Sequence, residues 1–155
     1  MNKNINDEYW MGIVDKIARA STCRVKIGTL LIQNRKIVGV GFLGSVPGDI
    51  HCDEEGCLLV DSPHQGSDNT GKGCRRTIHS EINAILNRTP VDLSQGYLEC
   101  YTTYEPCLNC LKCLLSIGVR KIIYRNYYKD EHRDFYFQTL SGKILNRLMI
   151  EKCDL

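Results

Sequence analysis

The chain has 155 residues, enough for one domain with a real core, and its 43% apolar and 25% charged residues are typical of a globular protein. Twenty basic against eighteen acidic side chains leave a net charge of +2, too small to favour a nucleic-acid partner. No apolar stretch approaches the roughly 20 residues that cross a bilayer, and the first ten residues lack the apolar segment of a signal peptide. The composition predicts a single domain over 1–155, a cytoplasmic location, a small-molecule substrate and no membrane or nucleic-acid partner.

The first part of the chain predicts a helix and a β-hairpin. Apolar residues at helical spacing predict a helix over about 7–20, with Asp7 as its cap. The stretches 26–33 and 36–44 are rich in β-branched residues and predict two strands. Only two residues, Asn34 and Arg35, separate these strands, so we expect a tight turn between them.

Helices alternate with strands after a long irregular segment. Residues 44–77 have no periodic apolar pattern, and so long a loop is unusual unless a functional site or a metal ion fixes it. Beyond it we expect a helix near 78–88, a strand at 97–104, a helix at 106–117, a strand at 119–125, a helix near 131–140 and a strand near 143–149. This order predicts an α/β fold, a three-layer α-β-α sandwich with a five-stranded mixed sheet.

The nine cysteines are many for a chain of this length, and an odd number leaves no complete pairing. In a reducing compartment such cysteines are more often thiols or metal ligands than disulfides. Cys107 and Cys110 form a C-x-x-C pair directly after Pro106, at a helix start where the helix dipole lowers a thiol pKa. His79, at the start of the preceding helix, can supply a third ligand. Three protein ligands leave the fourth position of a tetrahedral zinc ion for water, so this pattern predicts one catalytic Zn²⁺.

Glu81 stands two positions after His79, close to the predicted metal without being a ligand. A carboxylate there can accept a proton from water and pass it to the substrate. A lone C-x-x-C is also compatible with a redox pair, and a lone His-x-Glu with a solvated helix start. The combination H-x-E followed by P-C-x-x-C is the signature of zinc-dependent nucleobase deaminases, and it predicts Glu81 as the catalytic acid and base.

On these motifs the chain resembles the deoxycytidylate (dCMP) deaminases of the cytidine deaminase superfamily, most closely the bacterial and phage branch that includes the late-competence homologues. The similarity covers about 8–150 and includes "VKIGTLLI", "GFLGSVPGDIHCDEEGC", "CRRTIHSEINAIL", "YTTYEPCLNCLKCLLSIGVRKIIY" and the Tyr128-x-Asp130 segment. The resemblance implies hydrolysis of dCMP to dUMP and ammonia, with Glu81 moving protons to N3 and to the leaving amine. It also implies a homo-oligomer, commonly a hexamer.

Further cysteines raise the question of a second, structural zinc, which some relatives hold with residues from the corresponding segments. Four thiolates would close a tetrahedral site and order the irregular segment. The alternative is a set of free thiols in a loop. The candidate ligands are four cysteines, with two histidines as rivals: Cys23, Cys52, Cys57 and Cys74, and His51 and His64. For Cys100 and Cys113 the expected place is the buried core.

Substrate and effector contacts are expected at a few further positions. The family usually has Ala where this chain has Ser80, whose backbone N–H is kept for the substrate, and Tyr104 and Tyr128 are the aromatic residues expected to reach the pyrimidine. The family commonly carries G-Y-N-G after the second strand and often responds to dCTP and dTTP. This chain has Gly41, Phe42, Leu43 and Gly44 there, and leucine lacks the amide donor and acceptor of asparagine. We therefore expect a weak or absent dCTP response, or an altered sugar or phosphate preference.

Three other functions remain as alternatives. The enzyme could act on another cytosine species, such as dCTP, cytidine or a modified cytosine. A nucleic-acid-editing deaminase is disfavoured by the small net charge and by the lack of interleaved basic and aromatic residues. A non-catalytic zinc protein is disfavoured by Glu81.

Overall fold

The computed structural model describes residues 3–62 and 71–154. The helices are α1 Lys3–Ala18, α2 Cys52–Glu55, α3 Ser80–Leu86, α4 Leu108–Ser116, α5 Glu131–Thr139 and α6 Gly142–Leu145, with a short 3₁₀ helix at Leu93–Gln95. The strands are β1 Gly28–Gln33, β2 Lys36–Phe42, β3 Gly44–Ser45, β4 Leu59–Asp61, β5 Lys72–Cys74, β6 Thr77–Ile78, β7 Leu98–Tyr104, β8 Val119–Asn126 and β9 Met149–Lys152. None of the helices within these two ranges is long and apolar enough to span a membrane.

A five-stranded sheet in the order β2-β1-β7-β8-β9 organises the molecule. The pairs β2-β1 and β1-β7 are antiparallel, whereas β7-β8 and β8-β9 are parallel. The hairpin between β1 and β2 turns through Asn34 and Arg35, whose φ angles are 50° and 64°. Positive φ at both central residues is the geometry of a two-residue hairpin turn. The predicted hairpin and the predicted α/β fold with a five-stranded mixed sheet are both confirmed.

Two apolar layers lie on opposite faces of the sheet. Every residue of β1 is buried, because alternate side chains point to opposite faces and both faces are covered. Helix α1 covers one face, and the side chains packed there from the sheet are Leu30, Ile32, Tyr101 and Ile123. Helices α3 and α4 cover the other face, over Leu31, Leu98, Cys100 and Ile122. The three-layer arrangement places the starts of α3 and α4 on the same side of the sheet.

Strand β2 and helix α3 approach each other unusually closely. A Cβ atom on Gly41 would lie 2.1 Å from the carbonyl oxygen of Ser80 and 2.3 Å from the backbone N of Ala84. Only glycine fits at such a distance, since the neighbouring atoms are backbone and cannot rotate away. The position of α3 is therefore set by direct contact with the sheet.

The structure corrects two predictions about the helices and strands. Asp7 does not cap α1, which begins at Lys3; it lies inside the helix, where its carboxylate accepts hydrogen bonds from Lys121 (2.5 Å) and Tyr101 (2.7 Å). The strand expected near 143–149 is wrong: the short helix α6 comes first, and β9 begins only at Met149. Apolar residues in "GKILNRLM" recur at helical spacing, so the strand prediction chose the wrong period.

The irregular segment expected at 44–77 is more ordered than the sequence suggested. Its described part contains α2 and four short strands that pair as β3-β6 and β4-β5. Each strand has only two or three residues, too few for a periodic pattern to be visible in the sequence.

Candidate active site

Two helix starts bring His79, Cys107 and Cys110 together. His79 is the residue before α3, Cys107 is the residue before α4, and Cys110 lies in the first turn of α4. The Nδ1 atom of His79 is 3.6 Å from Sγ of Cys107 and 3.4 Å from Sγ of Cys110. The three candidate ligand atoms all lie within 4.8 Å of one another. One imidazole nitrogen and two thiol sulfurs at this separation fit a zinc ion with an open fourth position. Pro106 stands one residue before Cys107 and does not open the helix as expected.

Hydrogen bonds among these three side chains set their protonation. A hydrogen bond from Cys110, followed by one from His79, lowers the pKa of the Cys107 thiol to about 4. The bond to Cys107 raises the pKa of His79 to about 9, and the bond to the same thiolate raises the pKa of Cys110. In the absence of a metal ion, these contacts favour a thiolate on Cys107 over one on Cys110. Since zinc ligands must be deprotonated, metal binding here releases protons.

Glu81 lies in the first turn of α3 beside this cluster. Only 5% of its surface is exposed, and the same cleft is lined by Glu81, His79 and Cys107. Burial raises the pKa of its carboxyl group, whereas the charge of His79 acts in the opposite direction. One carboxylate oxygen, Oε2, accepts a hydrogen bond of 3.2 Å from Ser80 Oγ. Glu81 is therefore placed to exchange protons with a molecule in the cleft.

Helix α5 fastens the loop that carries Cys107. The fully buried Arg133 donates a 3.1 Å hydrogen bond to the carbonyl of Pro106 and forms an ion pair of 3.1 Å with Glu105. Asp130 caps α5 and also accepts a 2.8 Å hydrogen bond from the backbone N–H of Leu108. These contacts fix the start of α4 from outside the motif. No sequence pattern pointed to Arg133, because a charged residue in a polar helix is normally expected to be exposed.

A cleft of about 470 Å³ opens beside the cluster, a volume typical of small-molecule sites. Tyr104 and Tyr128, which were expected to reach a pyrimidine, both line it. Leu43 also lines the cleft, where it is 7% exposed and packs with Cys23 and other buried residues. The other residues of the expected effector or sugar contact lie elsewhere, with Gly41 against α3 and Gly44 paired with Ile78 in the small sheet.

The four-cysteine cluster, Cys23, Cys52, Cys57 and Cys74, is a second group of convergent thiols. All four sulfur atoms lie within 4.8 Å of one another, with Sγ–Sγ distances of 3.5 Å between Cys23 and Cys57 and 3.6 Å between Cys52 and Cys74. Burial works against ionisation of Cys74, but hydrogen bonds from the Arg76 backbone and from Cys52 lower its pKa to about 7. Four converging thiols match the donor set of a closed, structural zinc site.

Of the two rival ligands, His51 is not part of this group. The Nδ1 atom of His51 is 3.1 Å from the hydroxyl of Thr22, and His51 precedes α2. His64 lies outside the described residues. Cys100 is fully buried, as expected, but Cys113 is exposed and its predicted core position is wrong. The buried stripe of α4 runs through Leu111 and Leu114, and Cys113 falls on the solvent side of it.

A mixed α/β sheet whose helix starts direct a histidine, two cysteines and a buried glutamate into one cleft defines a zinc-dependent deaminase. Residues 4–126 match the family model described as the cytidine and deoxycytidylate deaminase zinc-binding region, and the chain belongs to this family.

Relatives and solved structures agree with this assignment. The chain is 32% identical over 124 residues to ComE operon protein 2 of Bacillus subtilis (strain 168), a match that covers 79% of this chain and 60% of that protein. It is 31% identical over 120 residues to the deoxycytidylate deaminase of Mycobacterium phage D29, covering 76% of this chain and 92% of the phage protein. The dCMP deaminase of cyanophage S-TIM5, solved in complex with dCMP and dUMP, superposes with a TM-score of 0.69 at 26% identity over 98% of both chains.

Proposed function

We propose that this protein is a zinc-dependent dCMP deaminase, which hydrolyses dCMP to dUMP and ammonia. The observation that carries the proposal is the buried Glu81 carboxyl beside His79, Cys107 and Cys110 at the wall of a cleft large enough for a nucleotide. Membership of the family supports the reaction, and the phage relatives named as dCMP deaminases support the substrate.

In this proposal His79, Cys107 and Cys110 hold the metal. Zinc, when bound there, supplies a Lewis acid that makes water easier to deprotonate. Glu81 accepts one proton from the attacking water and delivers it to N3 of cytosine; it then accepts the second proton of the same oxygen and delivers it to the amine, which leaves as ammonia. Burial raises the pKa of Glu81, so the carboxyl group can hold a proton between these two steps. Tyr104 and Tyr128 flank the pyrimidine and exclude water.

The charge of the cleft favours a phosphorylated substrate. Arg24, Lys72 and Arg75 line the cleft as exposed cations, and Arg24 donates a 3.1 Å hydrogen bond to the backbone carbonyl of Lys72. Two acidic groups in the lining are already engaged, because Glu105 pairs with Arg133 and Asp130 accepts from the α4 backbone. Cationic side chains in the cleft that holds the proposed catalytic group are suited to the phosphate of a nucleotide.

Ammonia release from a panel of cytosine substrates tests the proposal. We expect the highest kcat/KM with dCMP, a lower value with deoxycytidine and dCTP, and none with single-stranded oligonucleotides. Arg75→Ala should reduce the preference for dCMP over deoxycytidine, whereas Arg19→Ala, outside the cleft, should leave the preference unchanged. A preference for the free nucleoside or for an oligonucleotide would refute the dCMP assignment.

Two variants separate the role of Glu81 from that of the metal ligands. Glu81→Gln should retain zinc and fold but lose several orders of magnitude in rate, because glutamine cannot transfer protons. His79→Ala should lose the catalytic zinc together with the activity. A Glu81→Gln variant with near wild-type activity would show that the proposed mechanism is wrong.

We also propose a structural zinc in the four-cysteine cluster. Metal analysis of the purified protein should find two zinc ions per chain, and Cys57→Ser should reduce the content to one while the catalytic ion remains. About one zinc per chain in the wild type would contradict this second site.

A homo-oligomer, with a hexamer as the expected form, completes the proposal. The candidate effectors are dCTP and dTTP, and the response to dCTP should be weak or absent because Leu43 stands where the family commonly has asparagine. Sedimentation should give a mass several times that of the chain. A 17.7 kDa species at micromolar concentration would contradict it.

A further inference from the structure

Three buried hydroxyl groups connect Glu81 to the centre of the sheet. Ser80, Thr29 and Thr102 are each fully buried, with 0% of their surface exposed. Ser80 Oγ lies 3.2 Å from Glu81 Oε2 and 2.8 Å from Thr29 Oγ1, and Thr29 Oγ1 lies 3.0 Å from Thr102 Oγ1. Thr102 Oγ1 in turn lies 3.3 Å from the carbonyl oxygen of Gly28. Together these contacts form a continuous chain, which we call the hydroxyl chain.

The position of the hydroxyl chain in the fold indicates a specific role. Thr29 and Thr102 are direct partners across β1 and β7, on the sheet face that carries α3. An unpaired buried hydroxyl is unfavourable, so each group in such a place requires a partner. The partners form a single line that ends at the proposed catalytic carboxyl. Ser80 is also the residue at which this chain departs from the alanine that is usual in the family.

We propose that Ser80 is a positioning residue that holds the Glu81 carboxyl in its reactive orientation, with Thr29 and Thr102 fixing the Ser80 hydroxyl. The proposal rests on the proposed function, because it assigns a task to Ser80 within the same site. Ser80 engages Oε2 and leaves Oε1 outside the hydroxyl chain. Anchoring one oxygen to the sheet restricts rotation of the carboxyl and so keeps the other in a constant direction.

The hydroxyl chain can remain bonded to Glu81 throughout a proton transfer. Each hydroxyl has one hydrogen to donate and can also accept one. When Glu81 accepts, the bonds run from Thr102 to Thr29, to Ser80 and to the carboxylate. A proton taken up at Oε1 leaves Oε2 as an acceptor, so the Ser80 hydroxyl keeps donating to Oε2. No heavy atom of the hydroxyl chain has to move when the carboxyl is protonated, so the carboxyl is held in both protonation states.

Substitutions at Thr29 distinguish hydrogen bonding from packing. Thr29→Val keeps the shape of the side chain and removes the hydroxyl, whereas Thr29→Ser keeps the hydroxyl and removes a methyl group. If the hydroxyl chain acts through hydrogen bonds, Thr29→Val should lower kcat several-fold and Thr29→Ser should retain it. If Thr29 serves only to pack, the order of the two variants should be reversed.

Ser80→Ala removes the direct contact and should lower kcat about tenfold, the typical effect of one hydrogen bond to a charged group, with KM near the wild-type value. Thr103→Val is the matched control: its hydroxyl lies 3.3 Å from the Gly28 carbonyl and accepts a 3.0 Å hydrogen bond from the Gly28 N–H, but it does not belong to the hydroxyl chain. We expect Thr103→Val to keep kcat within about twofold, below the effect of one hydrogen bond.

Two readouts separate failure of this proposal from failure of the proposed function. Wild-type protein, Glu81→Gln and Ser80→Ala are assayed with the same substrate. If the wild type is active, Glu81→Gln is inactive and Ser80→Ala has the wild-type kcat, only the role of Ser80 is overturned. Crystal structures of wild type and Ser80→Ala do not depend on turnover. The carboxyl of Glu81 should occupy a different rotamer in the variant, and an unchanged carboxyl position would also overturn the proposal.

Discussion

Gly41→Ala should destabilise the protein more than any ordinary surface substitution, because of the contact between β2 and α3. The added Cβ would lie 2.1 Å from the Ser80 carbonyl oxygen and 2.3 Å from the Ala84 nitrogen, whereas Cβ atoms essentially never approach closer than 3.0 Å. Both close atoms belong to the backbone and cannot rotate away, so the strand and the helix would have to separate by roughly 1 Å to remove the clash. Inserting one carbon into a packed interior costs about 1–3 kcal/mol, and we expect a loss of stability at the upper end of that range.

Urea unfolding followed by the fluorescence of the only tryptophan, Trp10, measures this effect. Trp10 packs on the α1 side of the sheet, with its ring 6.4 Å from that of Tyr101, so its environment changes on unfolding. With a slope of about 2 kcal/mol per molar urea, a loss of about 3 kcal/mol lowers the midpoint by about 1.5 M. Activity should fall as well, since the displaced Ser80 lies between His79 and Glu81.

Gly12→Ala is the matched control, because a Cβ on Gly12 would meet nothing within 4 Å. Gly12 lies inside α1, where alanine is favoured over glycine by about 0.5–1 kcal/mol, so the midpoint should stay the same or rise. A Gly41→Ala midpoint within error of the wild type would show that β2 and α3 are not held as closely as the structure indicates, and the reasoning would be refuted.

Three further predictions concern other contacts. Arg133→Met leaves Glu105 half-buried without its cation and should weaken retention of the catalytic zinc in chelator competition; unchanged retention would argue against the role of α5 in fixing Cys107. Wild-type protein should show little response to dCTP in plots of rate against dCMP concentration, and Leu43→Asn should increase it; a sigmoidal wild-type curve that dCTP makes hyperbolic would contradict this. Tyr101→Phe should lower the free energy of unfolding by about 1–2 kcal/mol, because its hydroxyl bonds to Asp7, while kcat stays unchanged; a large loss of kcat would show coupling across the sheet.

The candidate catalytic motif could be predicted from the sequence because its residues lie close together along the chain. His79 and Glu81 are two residues apart, Cys107 and Cys110 are three apart, and each pair lies at a helix start that its neighbours predict. The sequence did not show that α3 and α4 begin on the same side of the sheet, close enough for His79 to meet Cys107 and Cys110. The hairpin was equally predictable, since two residues between β-branched runs allow few turns.

Other features depend on contacts that no local pattern encodes. Ser80, Thr29 and Thr102 lie on three separate elements, and only the pairing of β1 with β7 brings the two threonines together. Arg133 is buried because Glu105 and the Pro106 carbonyl surround it, although its own helix is polar. The prediction of a buried Cys113 failed for a different reason. An error of one residue in deciding which face of a helix is buried moves a side chain from the core to solvent.

The buried ion pair between Asp7 and Lys121 has a consequence for how α1 finds its place on the sheet. Apolar contacts alone would tolerate a helix displaced along its axis, since one turn of α-helix brings similar side chains to similar positions after 5.4 Å. Such a displacement here would leave the Asp7 carboxylate without its cation, because Lys121, 2.5 Å away in the structure, stays on the sheet, where it also pairs with Glu99 at 3.1 Å. An unpaired buried charge is strongly unfavourable. The ion pair thus selects a single position of α1 along its axis. The apolar contacts stabilise the helix on the sheet but do not by themselves select that position.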